Sequence, residues 1–315
     1  MFSEVSSLYG LSKAFPTELS CIKYLEKWRW KGIVISPFDP DSMVYKCKNN
    51  RYYCVNTNKY FNVKTGTIFE NTKIELGKWF LAIWLITTKK RGINAHDIAR
   101  DCKVTLKTAW FLLHRIRKGF AFENDGVLEG EIECDESFFG GKNKNRHADK
   151  KYEKCQGRSF KDKAPVLGML ERGGRLICRV LKDTKTWDIT PVVRTHISIN
   201  ATLFTDEWAG YNEAEEVFGY ERHFVSHSKK EYANGNITTN RIENVWSNMK
   251  RGIFGVYIKS TKKHLHRYMD EFVFRYNTKK KTDGYRFNYY LENLQNTRLR
   301  YKDLVADVQI RPNRF

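Results

Sequence analysis

Three acidic residues that are far apart in the chain have the type and the setting of a divalent-metal site. Asp135 lies in the alternating segment EIECDESFFG, Asp206 ends the apolar run of ATLFTDEW, and Glu243 lies in the helical segment TTNRIENVWSNMKRGIFG. Carboxylate oxygens are the hard ligands that Mg²⁺ prefers, and two such ions about 3.5 to 4 Å apart hold the attacking and leaving oxygens of a phosphoryl group. The set therefore predicts metal-dependent phosphoryl transfer.

Lys250 adds one basic group to this set. It follows Glu243 by seven residues, close to two helical turns, so both side chains project from one face of a helix. We expect Lys250 to contact a phosphate near the metals. A single acid at a strand end is most often a solvated turn residue, so the assignment depends on the order and spacing of the whole set.

Three further acids, Glu131, Glu133 and Glu136, lie beside Asp135, so that four carboxylates occupy six positions. The basic segment GGKNKNRH follows them directly. We interpret Glu133 and Glu136 either as groups that support Asp135 or as surface acids, and we prefer surface acids to direct metal ligands.

The composition indicates a folded protein with a polyanionic partner. The formal net charge is +20, from 56 Lys and Arg against 36 Asp and Glu, and a surface this basic favours nucleic acid. A length of 315 residues with 41% hydrophobic content is enough for two or three domains with cores. No signal peptide and no run long enough to span a bilayer is found, and the seven cysteines contain no C-x-x-C pair. We expect a soluble, intracellular protein that is located with DNA and has no membrane partner.

The elements that position the acids follow from the hydrophobic periodicity after residue 127. The predicted elements are strands at 131–138, 164–171 and 175–183, a helix at 187–197, strands at 201–208 and 221–228, and a helix at 238–255. Gly173-Gly174 predicts a hairpin between the second and third strands. This order predicts an RNase H-like α/β fold, in which Asp135 and Asp206 meet at one edge of the sheet and Glu243 faces them.

A helical region precedes these strands. Its predicted helices are 75–88, 93–104 and 105–120. Thr105 is the expected N-cap of the last helix, and the second and third helices with their tight turn form a helix-turn-helix candidate. Lys103, Lys107 and Thr108 would lie nearest DNA. The alternative is an ordinary helical bundle.

Loop and turn signals mark the remaining segments. Residues 1 to about 73 are rich in aromatic and turn residues, which predicts a small β-rich module with a hairpin around Asn56-Thr57-Asn58. The basic stretch 142–163 is poor in apolar residues and predicts a loop.

Several long motifs resemble the IS1595-type DDE transposases, with their ISXO2-like catalytic domain, and their eukaryotic Merlin relatives. The motifs are ECDESFFGGKNKNRH, LFTDEWAGY, TNRIENVWSNMKRGIFGVY and KHLHRYMDEFVFRYN, preceded by TGTIFENTKIELGKWFLAIWLITTKK and KTAWFLLHRIRK. The resemblance covers roughly residues 20–300. It implies a recombinase that binds terminal inverted repeats, frees 3′-hydroxyls and joins them to target DNA. It also implies two Mg²⁺ ions per active site, which Mn²⁺ can replace.

The resemblance assigns roles to individual residues. Asp135, Asp206 and Glu243 would bind the metals, and Lys250 would complete the catalytic set. The family varies its third acidic position, so Asn240 is a secondary candidate as a polar ligand or orienting group, with the start of the helix as its alternative role. The expected DNA contacts in this region are Lys142, Lys144, Arg146, Arg241 and Arg251. Transposon-end and target DNA would be the partners of a homodimer or higher oligomer, since each end needs one active site.

The sequence departs from the family at a zinc ribbon. Where the family commonly carries C-P-x-C and C-x-x-C, three of the four thiolates are replaced by Ser36, Asp39 and Thr57, and Cys54 alone remains. Structural zinc needs four Cys or His ligands, and a hydroxyl is a poor substitute. We therefore expect no structural zinc and a module held by its aromatic residues.

These predictions combine into one organisation. The predicted parts are a degenerate zinc-ribbon-like DNA-binding module at 1–73, a helix-turn-helix domain at 74–122, an RNase H-like catalytic domain at 127–300 and a C-terminal tail at 301–315. Two other functions are compatible with this organisation: a domesticated DNA-binding protein without turnover, and a structure-selective RNase H-like nuclease. Only a transposase joins a cleaved end to a second duplex.

Overall fold

The chain forms two compact units in a computed structural model. The residues that the structure describes are 5–140, 147–151, 163–225, 237–258 and 260–306. The central unit comprises residues 121–279, and the amino-terminal unit comprises residues 1–120 with 280–315. Residues 280–300, which the sequence assigns to the catalytic domain, therefore group with the amino-terminal residues.

The described residues form both helices and strands, as expected for a mixed α/β protein. The elements in chain order are α1 (Leu8–Ala14), α2 (Glu18–Trp30), β1 (Val44–Cys47), β2 (Arg51–Cys54), β3 (Lys59–Phe61), α3 (Leu76–Thr88), α4 (Ala95–Asp101), α5 (Leu106–Gly119), β4 (Glu131–Gly140), β5 (Lys163–Glu171), β6 (Leu176–Val180), α6 (Thr186–His196), β7 (Thr202–Asp206), α7 (Asn212–Glu216), β8 (Glu221–Val225), α8 (Asn240–Gly252), α9 (Leu265–Asn277), α10 (Asp283–Glu292) and α11 (Tyr301–Val305). The predicted loop at 142–163 lies largely outside the described residues.

The small sheet of the amino-terminal unit contains the predicted hairpin. β2 pairs antiparallel with β3 around the turn at 55–58, and β1 adds a third antiparallel strand that the sequence analysis missed. Apolar and aromatic side chains support it, since Tyr52, Phe61 and Trp30 are buried and their rings contact one another. This packing agrees with the expectation of an aromatic core.

Hydrogen bonds join the two turns of this module at the positions where a zinc ribbon carries its ligands. Ser36 Oγ accepts the backbone N–H groups of Phe38 at 3.1 Å and Asp39 at 3.4 Å. Asn56 bridges the turns, because its side-chain amide donates to Asp39 Oδ2 at 2.8 Å and its backbone N–H donates to Ser42 Oγ at 3.0 Å. The two turns are therefore connected by hydrogen bonds between protein groups.

Helix α3 forms the centre of the amino-terminal unit. It is mostly apolar and largely buried, and α1, α2, α5 and α10 pack against it. Phe287 of α10 contacts Phe80 and Trp84, with ring centroids 5.6 and 5.7 Å apart, and Tyr290 donates to the carbonyl of Ile116 at 2.9 Å. These buried contacts are the physical reason why residues 280–300 belong to this unit.

The helices at the predicted helix-turn-helix positions begin with side-chain caps. Asn94 accepts the N–H of Asp97 at the start of α4, and Thr105 accepts the N–H of Thr108 at the start of α5, as predicted for Thr105. Between the two helices, Lys103 adopts a left-handed backbone conformation with φ of 50°. The residues between α4 and α5 therefore form a tight turn.

A five-stranded mixed sheet organises the central unit. Its order is β6-β5-β4-β7-β8, with antiparallel pairing on the β5 side of β4 and parallel pairing on the β7 side. One face of the sheet, which carries Phe139, packs against α8 and α9. The opposite face, which carries Ile132 and Cys134, packs against α6 and residues 209–216. The central strand β4 is therefore covered on both faces.

Two general features of the chain follow from the described residues. Within the five described ranges, no helix combines the length and the apolar character needed to cross a bilayer. The cysteines in these ranges are all free, as expected for reduced thiols.

The hydrogen bonds between the two turns lead to a prediction about metal content. We expect protein purified without chelator to contain far less than about one zinc per chain by elemental analysis, because serine, aspartate and threonine replace three thiolates. EDTA should leave the amide exchange of β1–β3 unchanged. About one zinc per chain that is lost in Cys54→Ser would contradict this prediction.

Candidate active site

Asp135 and Asp206 stand at adjacent positions where the pairing of two parallel strands ends. The paired residues of β4 and β7 run as far as Glu133 and Phe204. Asp135 and Asp206 lie two residues further along their strands, on the same face of the sheet, because side chains alternate with a period of two. The parallel register thus brings two acids that are distant in sequence together at the carboxyl ends of two neighbouring strands.

An indole holds the Asp135 carboxylate against helix α8. The Nε1–H of Trp246 donates to Oδ2 of Asp135 at 2.9 Å, and Trp246 is buried. The ring occupies the space over Gly168, which pairs with Asp135 on β5, and a Cβ at Gly168 would come within 2.5 Å of it. A larger residue at this position would displace the indole and change the orientation of Asp135.

The surroundings of Asp135 oppose its ionisation. Burial raises the pKa of Asp135 to about 6, and the negative charges of Asp206 and Glu243 add to this rise. The hydrogen bond from Trp246 acts in the opposite direction. The three acids therefore share one electrostatic environment, and perturbed carboxylates of this kind are frequent at functional sites.

A hydrogen-bond network holds the turn that follows Asp206. Asp206 Oδ1 accepts the backbone N–H of Trp208 at 3.0 Å. Arg222 donates to the backbone carbonyls of Asp206 at 3.1 Å and Trp208 at 3.2 Å, and to Thr205 Oγ1 at 2.9 Å. The end of β7 is therefore fixed from the neighbouring strand β8.

Helix α8 buries one stripe and presents polar groups beside it. The buried stripe consists of Ile242, Val245, Trp246, Met249 and Gly252. Glu243 is exposed in the first turn of the helix. Lys250 is half-buried, and although burial lowers its pKa, the attraction of Asp135 opposes that shift. Glu243 and Lys250 therefore both act electrostatically on Asp135.

The oxygen donors are of the type that a divalent cation needs, although they do not form a closed cage. In the parts of the chain that the structure describes, no three or more His, Cys, Asp or Glu side chains are close enough to form a metal cluster. Electrostatic interactions reach further than metal–ligand contacts, so the separation of the acids is compatible with their effect on the pKa of Asp135. A divalent cation between them would stabilise the ionised form of Asp135.

The interpretation of Glu133 and Glu136 as surface acids is wrong. Glu133 is fully buried and accepts hydrogen bonds from helix α8 and from Arg172. Glu136 is half-buried on the opposite face of the strand, where the Tyr211 hydroxyl donates to it. Helices cover both faces of the sheet, so neither face of β4 is a free surface.

The remaining predicted site residues lie in both units. In the amino-terminal unit, Lys103 is exposed in the turn before α5, and Lys107 Nζ lies 5.2 Å from the ring centroid of Tyr301. The Thr108 hydroxyl is 2.8 Å from the hydroxyl of Thr105. Each of these residues lies at or near the start of α5.

In the central unit, Asn240, Arg241 and Arg251 are exposed on α8. Asn240 is the first helical residue, and the N-cap itself is Thr239. The predicted contacts that lie outside the described residues are Lys142, Lys144 and Arg146.

Three residues that shape this site were not predicted from the sequence. Gly168 carried a usable signal, because an isolated glycine inside the apolar strand APVLGMLE often marks the close approach of another group. The hydrogen bond from Trp246 to Asp135 had no such signal. Arg172 had none either, because its partners come from other elements and meet only in the folded chain.

Comparison with known proteins relates the central part of the chain to a described family. Residues 127–277 match the family described as the ISXO2-like transposase domain, and these limits lie close to those of the central unit. An uncharacterized protein in the transposable element ISH50 of Halobacterium salinarum is 27% identical over 242 residues, which is 73% of this chain and 81% of the relative. The resemblance to IS1595-type transposases is thus confirmed, and residues 127–277 of this chain are similar to the ISXO2-like transposase domain.

Proposed function

We propose that this protein is a DNA transposase that cleaves transposon ends and joins the freed 3′-hydroxyls to target DNA. The observation that supports this most directly is the parallel register of β4 and β7, which places Asp135 and Asp206 at adjacent positions on one face of the sheet. The raised pKa of Asp135, caused by burial and by Asp206 and Glu243, is consistent with it. These acids lie within the matched transposase domain. The proposed ligands of two Mg²⁺ ions are Asp135, Asp206 and Glu243, with Asn240 as a secondary candidate.

The central unit is proposed to have an RNase H-like architecture. Support comes from the sheet order, in which three antiparallel strands continue into two parallel strands through β4. The parallel pair carries the aspartates at its carboxyl end, and α8 crosses the same face. In the proposed architecture, this face is the catalytic one.

Each side chain of the site has a distinct proposed role in the reaction. Bound Mg²⁺ ions would activate the attacking oxygen and stabilise the leaving oxygen, and Mn²⁺ would replace them. Trp246 orients Asp135 through its indole hydrogen bond, and Arg222 fixes the turn that carries Asp206. Lys250 is proposed to bind a phosphate beside the carboxylates. The protein thereby orients the carboxylates that would bind the metals before any DNA is bound.

The proposed DNA partners are the terminal repeats and a target duplex. The net charge of +20 supports binding to phosphates in general. The turn and α5 would form a helix-turn-helix that contacts the end through Lys103, Lys107 and Thr108, with the zinc-free module beside it in sequence. Lys142, Lys144, Arg146, Arg241 and Arg251 would bind DNA near the carboxylates. We propose a homodimer or higher oligomer that works with the DNA inside the cell.

The two alternatives make different predictions about products. A domesticated DNA-binding protein would bind ends without cleavage, and the retention of Asp135, Asp206, Glu243 and Lys250 argues against it. A structure-selective nuclease would cleave without joining. Incubation with a mini-transposon, a target plasmid and Mg²⁺, followed by sequencing of the junctions, distinguishes all three functions.

Replacement of the acids should separate catalysis from DNA binding. We expect Asp135→Ala to reduce strand cleavage by a factor on the order of a thousand or more, because the metals lose a ligand. Binding of end DNA in a gel-shift assay should change little, because the basic surface is intact. Glu129→Ala, an exposed acid in the same unit, is the matched control. An Asp135→Ala protein that nicks ends at the rate of the control would exclude the assignment.

The raised pKa of Asp135 predicts a pH-dependent cost to stability. Since the folded-state pKa of about 6 lies above the ordinary value of 3.8, ionised Asp135 lowers the free energy of unfolding as the pH rises from about 4 to about 6. Asp135→Asn should therefore melt at a higher temperature than wild type at pH 7, with no gain near pH 4. Mg²⁺ should raise the melting temperature of wild type more than that of the variant. A gain that is equal at both pH values would contradict this explanation.

The helix-turn-helix proposal is tested by salt dependence. Lys107→Ala should weaken binding to end DNA and reduce the slope of log affinity against log salt by about one, as expected for one lost phosphate contact. Lys13→Ala, an exposed lysine in α1 of the same unit, is the control. Equal slopes for the two variants would argue for an ordinary helical bundle.

A further inference from the structure

Helix α8 begins without a side-chain cap from its own N-cap residue. Thr239 occupies the N-cap with φ of −110° and ψ of 13°, and its side chain makes no capping hydrogen bond. The first backbone N–H groups of a helix have no partners within the helix, and they carry its partial positive charge. Buried N–H groups at this end of α8 therefore need an acceptor from elsewhere in the fold.

The acceptor comes from the central strand of the sheet. Oε2 of Glu133 accepts the backbone N–H groups of Arg241 and Ile242, each at 3.1 Å. Glu133 is fully buried, so water does not compete for these hydrogen bonds. The carboxylate thus caps α8 and places a negative charge at the positive end of the helix.

Arg172 engages the other oxygen of Glu133. Its Nε donates to Oε1 at 3.1 Å, and a second nitrogen of the guanidinium donates to the carbonyl of Thr238 at 3.1 Å. The guanidinium also lies 3.8 Å from the ring centroid of Phe204 on β7. Glu133 and Arg172 together connect β4, β7 and the segment that enters α8.

We propose that Glu133 is a positioning residue for the carboxylate site, a role that rests on the proposed function. Glu133 precedes Asp135 by two residues on the same face of β4, and Ile242, whose N–H it accepts, directly precedes Glu243. One buried carboxylate therefore sets the distance and rotation between the strand that carries Asp135 and the helix that carries Glu243. Because protein groups engage both of its oxygens, Glu133 acts through the backbone and is not a metal ligand.

Two nearly isosteric variants of the full-length protein test this role. Glu133→Gln removes the charge of the cap with little change in shape. Glu131→Gln is the matched control, because Glu131 also accepts a hydrogen bond from Arg172, at 2.9 Å, but its side chain is 54% exposed. Glu133→Asp is the second variant, for use if Glu133→Gln does not fold, because it keeps the charge but shortens the reach to α8.

The readouts are amide hydrogen exchange, Mn²⁺ binding and DNA cleavage. In Glu133→Gln, we expect the amides of residues 240–243 to exchange about tenfold faster, since the first turn loses its charged acceptor. Mn²⁺ binding measured by electron paramagnetic resonance should weaken about tenfold, and cleavage should recover in part at higher metal concentration. Glu131→Gln should match wild type in all three. A merely structural role would lower the melting temperature without changing the Mn²⁺ affinity of the folded protein.

Each result has a definite meaning for the proposal. Unchanged exchange at 240–243 in folded Glu133→Gln or Glu133→Asp overturns it, whether or not the protein cleaves DNA. Faster exchange with unchanged Mn²⁺ affinity overturns it as well, because the cap would then have no effect on the site. Faster exchange with weaker Mn²⁺ binding supports it. If the Glu133 variants show these effects but wild type neither cleaves nor joins DNA, the proposed function fails while the positioning role stands.

Discussion

The architecture of the central unit depends on two carboxylates, Glu133 and Asp135, on one face of a covered strand. A charge removed from water is costly unless hydrogen bonds or opposite charges replace the water. The two acids differ in the groups that surround them. Glu133 accepts hydrogen bonds from two backbone N–H groups and a guanidinium, whereas Asp135 accepts the indole N–H of Trp246 and a backbone hydrogen bond from Glu136 and has two other acids acting on it. Glu133 therefore links the strand to the helix, whereas the ionised form of Asp135 would be stabilised by a further positive charge.

Helix α8 contacts both Glu133 and Asp135. Its first turn donates backbone N–H groups to Glu133, and its second turn places Trp246 beside Asp135. Lys250, near the end of the helix, attracts the carboxylate of Asp135 electrostatically. A change at one of these contacts would alter the others, because they share one rigid helix. Gly168 is the complementary feature of the sheet, since only the absence of a side chain leaves room for the indole. Such support is what a site for metal ligands requires, because ligand orientation depends on the groups behind it.

The distribution of charge is consistent with a domain of the ISXO2-like transposase family. The chain as a whole is strongly basic, yet its central sheet gathers acids at one edge. A basic surface attracts the phosphate backbone of DNA, while a local cluster of acids attracts divalent cations. The two requirements are compatible because the carboxylates are confined to the end of two parallel strands and the first turn of α8.

The sequence by itself determined the elements of the central sheet, the cap of α5 and the choice of Asp135, Asp206 and Glu243 as the candidate set. Periodicity, turn residues and local capping are properties of neighbouring residues, so these features can be read before folding. Only the tertiary structure decided the burial of Glu133, its bond to Arg172 and the place of α10 in the amino-terminal unit. Those features depend on contacts between residues that are distant in the chain. The pattern of acids in EIECDESFFG reveals where negative charge is concentrated, but the partners that make Glu133 a helix cap and raise the pKa of Asp135 come from other elements.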